Sequence, residues 1–291
     1  MLAKPGKAFD SDDYLFEVKW DGARGLAFIE AGTYRLLNRR QRDMTDRYPE
    51  FHFFQGLPAG IVVDGEVVVL RQGRSDFGLL ESRERARSPL TIRSLVRSAP
   101  ATFMAFDLLF EGYRSCMALS LQERRERLAR LVRGLKHPQL LLSESIRGSG
   151  TALFREASER GLEGIVAKRV GSRYLPAKRS DAWIKIKRSE TTVCAIMGFE
   201  PWGQRDFRSL ILAGHVDGEL RYVGRVGTGF DRALRERLNQ LLWSRLQPRP
   251  LVACKIRGQW VRPGLYCVLS YLERTAGEEF RAPAFKRLLE G

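Results

Sequence analysis

Apolar and polar positions change rhythm along the chain. Residues 61–70, IVVDGEVVVL, form an apolar, β-branched run broken by an Asp-Gly pair, which predicts a hairpin or two abutting strands. Residues 102–110, TFMAFDLLF, predict a buried strand. Residues 120–135 follow helical spacing, with Leu121, Leu128, Leu131, Val132 and Leu135 on one face and Ser120 with Glu123 as a capping box. The arginines of this helix (Arg124, Arg125, Arg127, Arg130, Arg133) read mostly as its solvated face. A second helix is predicted over residues 151–160, with Gly161 as its stop.

After Lys187 the runs shorten. Strand-like segments cover residues 192–199, 210–216, 220–226 and 265–272, and one helix over residues 231–246 ends ahead of Pro248. Short strands with one inserted helix predict a small barrel of the oligonucleotide-binding type. The change of texture puts a domain boundary at residues 188–191, giving domains 1–189 and 190–291.

Composition narrows the function classes. The 291 residues are 44% apolar and 29% charged, which excludes wholesale disorder. No window approaches about 18 consecutive apolar residues, so no membrane span is expected. Residues 1–13 lack the apolar core of a signal peptide, and a cytoplasmic, nucleoid-associated location is the expectation. Four cysteines without a C-x-x-C and three histidines speak against a zinc site or a disulfide framework. The net charge of +16 points to an acidic partner, nucleic acid first, although Arg-rich composition alone produces the same figure. Both predicted parts are basic, so a polyanion has two surfaces to touch.

The candidate chemistry begins at EVKWDGAR, residues 17–24. A strand-like segment delivers Lys19 and then turns at Asp-Gly. Nucleophilic attack requires a neutral amine, so a lysine's ordinary pKa of about 10.4 has to be brought down by burial or nearby positive charge. On K-x-D-G alone, a surface lysine before a turn is the better explanation of the pattern. Downstream come Asn38-Arg39-Arg40, Asp64-Gly65-Glu66, Phe106-Asp107-Leu108, EGIVAK (residues 163–168) and WIKIK (residues 183–187). In order and approximate spacing these resemble the nucleotidyltransferase motifs of ATP-dependent DNA ligases, and most of all the ligase domain of bacterial end-joining ligases. SRYLPAKRSDAWIKIK (residues 172–187) and YVGRVGTGF (residues 222–230) carry the same resemblance, which covers nearly the whole chain.

The resemblance implies an α+β fold: an adenylation domain of antiparallel sheets and helices, followed by a C-terminal OB-fold barrel. It implies ATP and a divalent metal, Mg2+ or Mn2+, as cofactors and nicked duplex DNA as partner. It also implies a three-step reaction through lysyl-AMP and an adenylated 5′-phosphate, in the service of DNA repair, recombination or replication. Lys19 is then the nucleophile. Glu17, on the same side of the strand as Lys19, lies by the adenine, and Phe106 stacks on it. Arg24 and Arg39 are the ribose- and phosphate-contacting arginines, a role suited to forked donors. Glu66 lies near the ribose and the metal, and Glu163 is the metal carboxylate. Lys168 belongs to the ATP site, and Lys185 with Lys187, two residues apart on a strand, faces the α-phosphate. Asp21 assists or merely caps its turn.

Two departures stand out. The family closes on a basic R-x-D-K motif, but here F-R-x-P-x-F (residues 280–285) is followed by Leu289 at the arginine position. Self-adenylation from ATP is therefore expected to be weak, unless Lys286 and Arg287 substitute. The chain also starts almost at its first motif, so no separate N-terminal DNA-binding domain is expected and a monomer has to grip DNA with its two basic parts. Arg83, Arg85, Arg87, Arg93 and Arg97, together with Arg205 and Arg208, are candidates for phosphate contacts, with solvated surface as the competing reading. The alternative functions are an RNA ligase or capping-type nucleotidyltransferase, and a nucleic-acid-binding protein with a decayed active site.

Overall fold

The computed structural model describes residues 1–275 and 277–290. They form two compact units, Met1–Arg188 and Ser189–Gly291.

The first unit is built on two sheets. One has the order β4 (Thr33–Asn38), β3 (Ala23–Glu30), β5 (Ile61–Arg71), β6 (Ala101–Glu111), antiparallel throughout, with β7 (Leu140–Leu142) parallel to β6. The other has the order β1 (Leu2–Pro5), β10 (Arg179–Lys187), β9 (Gly164–Arg169), β2 (Ser11–Val18), β8 (Ser145–Gly148). Helices α1 (Phe77–Arg85) and α2 (Pro89–Ser98) connect β5 to β6 in the chain. Helix α3 (Leu121–Leu135) follows β6 and carries the expected capping box, with Ser120 and Glu123 bonded reciprocally. Helix α4 (Gly150–Glu159) packs Ala157 against Phe16, Ile165 and Ile186 of the second sheet, and Gly161 behind it takes a positive φ of 71°. The larger core joins Ile29, Val67, Val69 and Phe103 to Phe51 and Phe54 of the 3-10 segment Pro49–Gly56 and to Leu128 of α3.

Residues 61–70 are not a hairpin but one continuous strand. The Asp-Gly pair serves packing instead of turning. Asp64 is fully buried in a forked pair with Arg24, and a Cβ on Gly65 would lie 2.3 Å from the Phe103 ring. The reading of α3 needs a similar correction. Arg124 and Arg125 are buried, not solvated. Arg124 forks onto Asp107 at 2.7 and 3.0 Å and also donates to the Leu119 and Ser172 carbonyls. These contacts offset the cost of removing a guanidinium from water.

The second unit is a barrel of the oligonucleotide-binding type. Its strands are β11 (Glu190–Trp202), β12 (Asp206–Val216), β13 (Glu219–Val226), β14 (Gln259–Val261), β15 (Leu265–Tyr271) and β16 (Ala284–Glu290). Strand β11 pairs β15 from Glu190 to Ala195, β12 from Ala195 to Trp202, and β14 at Gly198 and Phe199. A register shift between Ile196 and Gly198 marks the change of partner, where a Cβ on Gly198 would meet the Gln259 carbonyl at 2.6 Å. Helix α5 (Arg232–Trp243), capped by Asp231, packs Leu238 and Leu242 against Phe199, Phe207, Leu212 and Leu265. The divergent C-terminal stretch is strand β16, with Phe285 buried, Lys286 and Arg287 exposed and Leu289 half-buried. Gly291 lies outside the described residues. Among the described residues, no helix is long and apolar enough to cross a membrane.

Candidate active site

Strand register assembles the site. Val166 of β9 pairs Glu17 of β2 on one side and Lys185 of β10 on the other. Two residues along, Lys168 pairs Leu15 and Trp183. In the opposite direction the Lys19 amide donates to the Gly164 carbonyl at 2.9 Å, and Gly164 pairs Lys187. The period of two puts Lys19 and Lys187, then Glu17, Val166 and Lys185, then Lys168 and Trp183 on one face of three adjacent strands. The first sheet contributes Arg24 and Glu66, cross-strand partners on β3 and β5, and Phe106 of β6.

All of these side chains except Lys187 line one cavity. One end is cationic. Lys19 is ion-paired with Glu163, whose other oxygen takes Lys187 at 2.7 Å, and Lys185 stands beside them on the wall. The other end is apolar and aromatic, lined by Phe106, Trp183 and Val166, with the two rings edge to face and their centres 5.9 Å apart. At its floor Glu17 accepts from Arg125 at 2.6 Å and from Lys168 at 2.9 Å. The Lys168 ammonium also lies 4.4 Å from the Phe106 ring centre and 4.6 Å from that of Trp183.

The ionisable groups sit away from their ordinary values for identifiable reasons. Burial opposes ionisation of Glu163, but Lys19 and Lys187 outweigh it and hold the carboxyl below the usual range. Burial pushes Glu66 up to about 8 against the pull of Lys19 and Arg24, so it carries a proton at neutral pH. Burial lowers Lys168 against the opposing pull of Glu17. Lys185 is lowered by burial and then by the positive charges of Lys187, Arg179, Lys19 and Arg39. Attack by Lys19 calls for burial or nearby positive charge, and its immediate partner is an anion, Glu163.

Of the residues expected in the site, Lys19, Glu17, Arg24, Glu66, Phe106, Lys168 and Lys185 line this cavity. Glu163 and Lys187 join it through the ion pairs. Arg39 does not line it. It is exposed on the rim of a neighbouring apolar cavity, which Arg24 also lines. Arg24 does not offer a free fork. Four of its five donors are engaged, two by Asp64, one by the Met1 carbonyl and one by Tyr174. Among the described residues no cluster of three or more His, Cys, Asp or Glu could hold a metal ion. Glu66 and Glu163 do provide two hard oxygen donors beside Lys19, which suits an ion such as magnesium that fills its remaining positions with water and phosphate oxygens.

Sequence reasoning missed Arg125, Trp183, Trp20 and Ser143. Arg125 carries a signal: it lies four residues after Leu121 and three before Leu128, inside the apolar stripe of α3. Trp183 shares the two-residue period of Lys185 and Lys187. Ser143, whose hydroxyl accepts from the Trp20 indole at 3.2 Å, follows no periodic pattern.

The arginines proposed for DNA divide. Arg83 is 1% exposed, bonded to Glu50 and the Arg47 carbonyl, and cannot meet a phosphate. Its place on the inner face of α1 is the reason. Arg85, Arg87, Arg93 and Arg97 are exposed, Arg85 pairing with Glu81 one turn away. Arg205 is exposed at the β11–β12 turn, and the exposed Arg208 lies 4.4 Å over the Trp202 ring.

Known proteins match this architecture. The family model of the ATP dependent DNA ligase domain matches residues 1–187, and that of the ATP dependent DNA ligase C terminal region matches residues 203–290. The chain is 34% identical over 296 residues to the multifunctional non-homologous end joining protein LigD of Pseudomonas aeruginosa, covering 96% of this chain and 34% of that protein. It is 30% identical to LigD of Mycolicibacterium smegmatis, covering 99% of this chain and 38% of that one. It therefore spans little more than a third of these curated relatives. Among solved structures, a mycobacterial DNA ligase D complexed with ATP and MES matches with a TM-score of 0.59 at 28% identity, covering 99% of this chain and 94% of that one. A Lig E DNA ligase, at 20% identity and a TM-score of 0.67, shares the fold over 99% of this chain and 98% of its own. Together with the motif residues gathered around Lys19, these matches show that the chain belongs to the ATP-dependent DNA ligase family.

Proposed function

We propose that the chain is a nick-sealing DNA ligase that uses Lys19 as nucleophile and ATP as AMP donor, and that it serves end joining. The observation that carries this reading is the polarity of the cavity. Lys19 and Lys185 stand at one end, and an apolar, aromatic end floored by Glu17 stands at the other. A nucleoside triphosphate has the same polarity, so its phosphates go to the lysines and its base to the aromatic end.

The chemistry follows from that pose. The Lys19 amine attacks the α-phosphorus of ATP. A nitrogen–phosphorus bond forms, the bond to the β-phosphate breaks and pyrophosphate leaves. An oxygen of the nick's 5′-phosphate then attacks the same phosphorus and takes AMP from Lys19. Finally the 3′-hydroxyl attacks the activated 5′-phosphate, and AMP departs. Charge neutralisation and positioning account for most of the work in such transfers. Lys185 and Lys187 supply positive charge where the α-phosphate oxygens gain negative charge. Lys19 has to leave Glu163 before it attacks, and Lys187 remains to hold that carboxylate. Glu163, together with Glu66 once it releases its proton, would hold a divalent ion, which when bound supplies further neutralisation of phosphate charge.

The test uses radiolabelled ATP with Mg2+ and a singly nicked duplex. A covalent protein–AMP adduct and a sealed strand are expected, both lost in Lys19→Ala. Sealing that survives Lys19→Ala would refute the assignment. Nicked RNA and GTP, offered in parallel, test the capping-type and RNA-ligase alternatives.

A further inference from the structure

We propose that Arg125 is a positioning residue that sets the base end of this nucleotide site, and that it makes the site select for an exocyclic amine on the purine. The inference rests on the function proposed above.

A single buried guanidinium braces two wall positions and a neighbour just behind them. Arg125 donates to Glu17 Oε1 at 2.6 Å, to the Ser143 carbonyl at 2.8 Å and to the Ser145 hydroxyl at 3.1 Å. Glu17 and Ser143 line the cavity, and the Ser143 hydroxyl fixes the indole of Trp20, a third lining residue. With the Lys168 ammonium 2.9 Å from both of its oxygens, the Glu17 carboxylate is clamped from two sides and its plane is set. Its uncommitted lone pairs can only accept. A purine presenting an N–H there is matched, whereas one presenting a carbonyl or nothing leaves a buried acceptor unpaired.

The next residue supplies a control. Arg124 is buried even more completely, but it binds Asp107 and the Leu119 and Ser172 carbonyls, none of which line the cavity. If burial alone mattered, the two arginines would behave alike.

The experiment measures adduct formation with ATP and with purine riboside triphosphate, which lacks the 6-amino group, in the whole chain. The wild type is expected to prefer ATP in kcat/KM by about tenfold or more, the worth of one hydrogen bond to a charged group. Arg125→Met should raise KM for ATP more than it lowers kcat, and should abolish the preference. Arg125→Lys should recover part of it, and Arg124→Met should keep it even while lowering the melting temperature. The proposal is overturned by a wild type indifferent to the amine, or by a preference that survives in Arg125→Met. It is also overturned by equal loss of the preference in Arg124→Met. If Arg125→Met does not fold, Arg125→Lys against the wild type decides, because an undiminished preference there contradicts the clamp. Absence of any adduct in the wild type would instead strike the proposed function itself.

Discussion

The two ends of the cavity use the same kind of interaction to opposite effect. At the floor, Glu17 lies between Arg125 and Lys168, all three buried. At the mouth, Glu163 lies between Lys19 and Lys187, whose side chains are 22% and 44% exposed. Burial makes the floor costly to disturb, because removing one partner strands a charge out of water. Partial exposure makes the mouth exchangeable, since a lysine that leaves Glu163 can be resolvated. A site that binds a base and then moves a phosphoryl group needs both: a fixed end for recognition and a loose end for chemistry.

The strongest break in this comparison is at the mouth. Lys19→Ala should lower adduct formation by about 10⁴-fold or more while leaving the urea midpoint nearly unchanged, because it removes the reacting atom and a partly exposed partner. An intact adduct rate would refute the assignment.

At the floor the order reverses. Glu17→Leu leaves Lys168 and Arg125 buried without their carboxylate and should cost about 3–5 kcal/mol in urea unfolding. The mouth counterpart, Glu163→Gln, removes a buried carboxylate but leaves its two partners able to reach water, so it should cost less than Glu17→Leu yet slow adenylation. Equal stability losses in the two variants would dissolve the distinction.

Glu66 gives a pH test. Its folded value of about 8 lies above that of an unfolded carboxyl, near about 4.3. The folded chain therefore holds a proton that the unfolded chain has released. Its contribution to stability is complete below the unfolded value, falls as pH rises from there to about 8, and is gone above it. Glu66→Gln should flatten that slope in melting-temperature profiles between pH 5 and 9. Parallel profiles for the two proteins would contradict it.

The smallest expected effect concerns the outer surface. Arg85→Gln should lower the slope of log K against log salt for nick binding by about 1 if it meets a phosphate, and Arg83→Gln should destabilise the fold without changing that slope. A slope change for buried Arg83 would overturn its assignment.

Much of this was legible in the sequence, where periodicity and order carried it. Lys19, Lys185 and Lys187 announce a shared face through their two-residue spacing, and the motif series names the family. The capping box of α3 and the stop at Gly161 are local features and could be read locally. What escaped depends on distant partners. The Asp-Gly pair at Asp64 and Gly65 resembles a turn until Arg24 and Phe103 arrive from other strands. Arg125 resembles solvated surface by its charge, although its position falls in the apolar stripe of α3. Arg24 matches a forked phosphate ligand, yet Asp64, Met1 and Tyr174 already take most of its donors. The departure at Leu289 is visible in sequence, but its effect on self-adenylation is kinetic.

One measurement reaches the centre of the account. The chain is charged with radiolabelled ATP and Mg2+, freed of nucleotide, and then given unlabelled nicked duplex without ATP. The account predicts a label on Lys19 by peptide mapping, its transfer to the DNA 5′ end, and sealing in the same reaction. Rapid charging would also show that the divergent C-terminus is no obstacle to self-adenylation. A label on another residue, or sealing without any charged intermediate, would contradict the account.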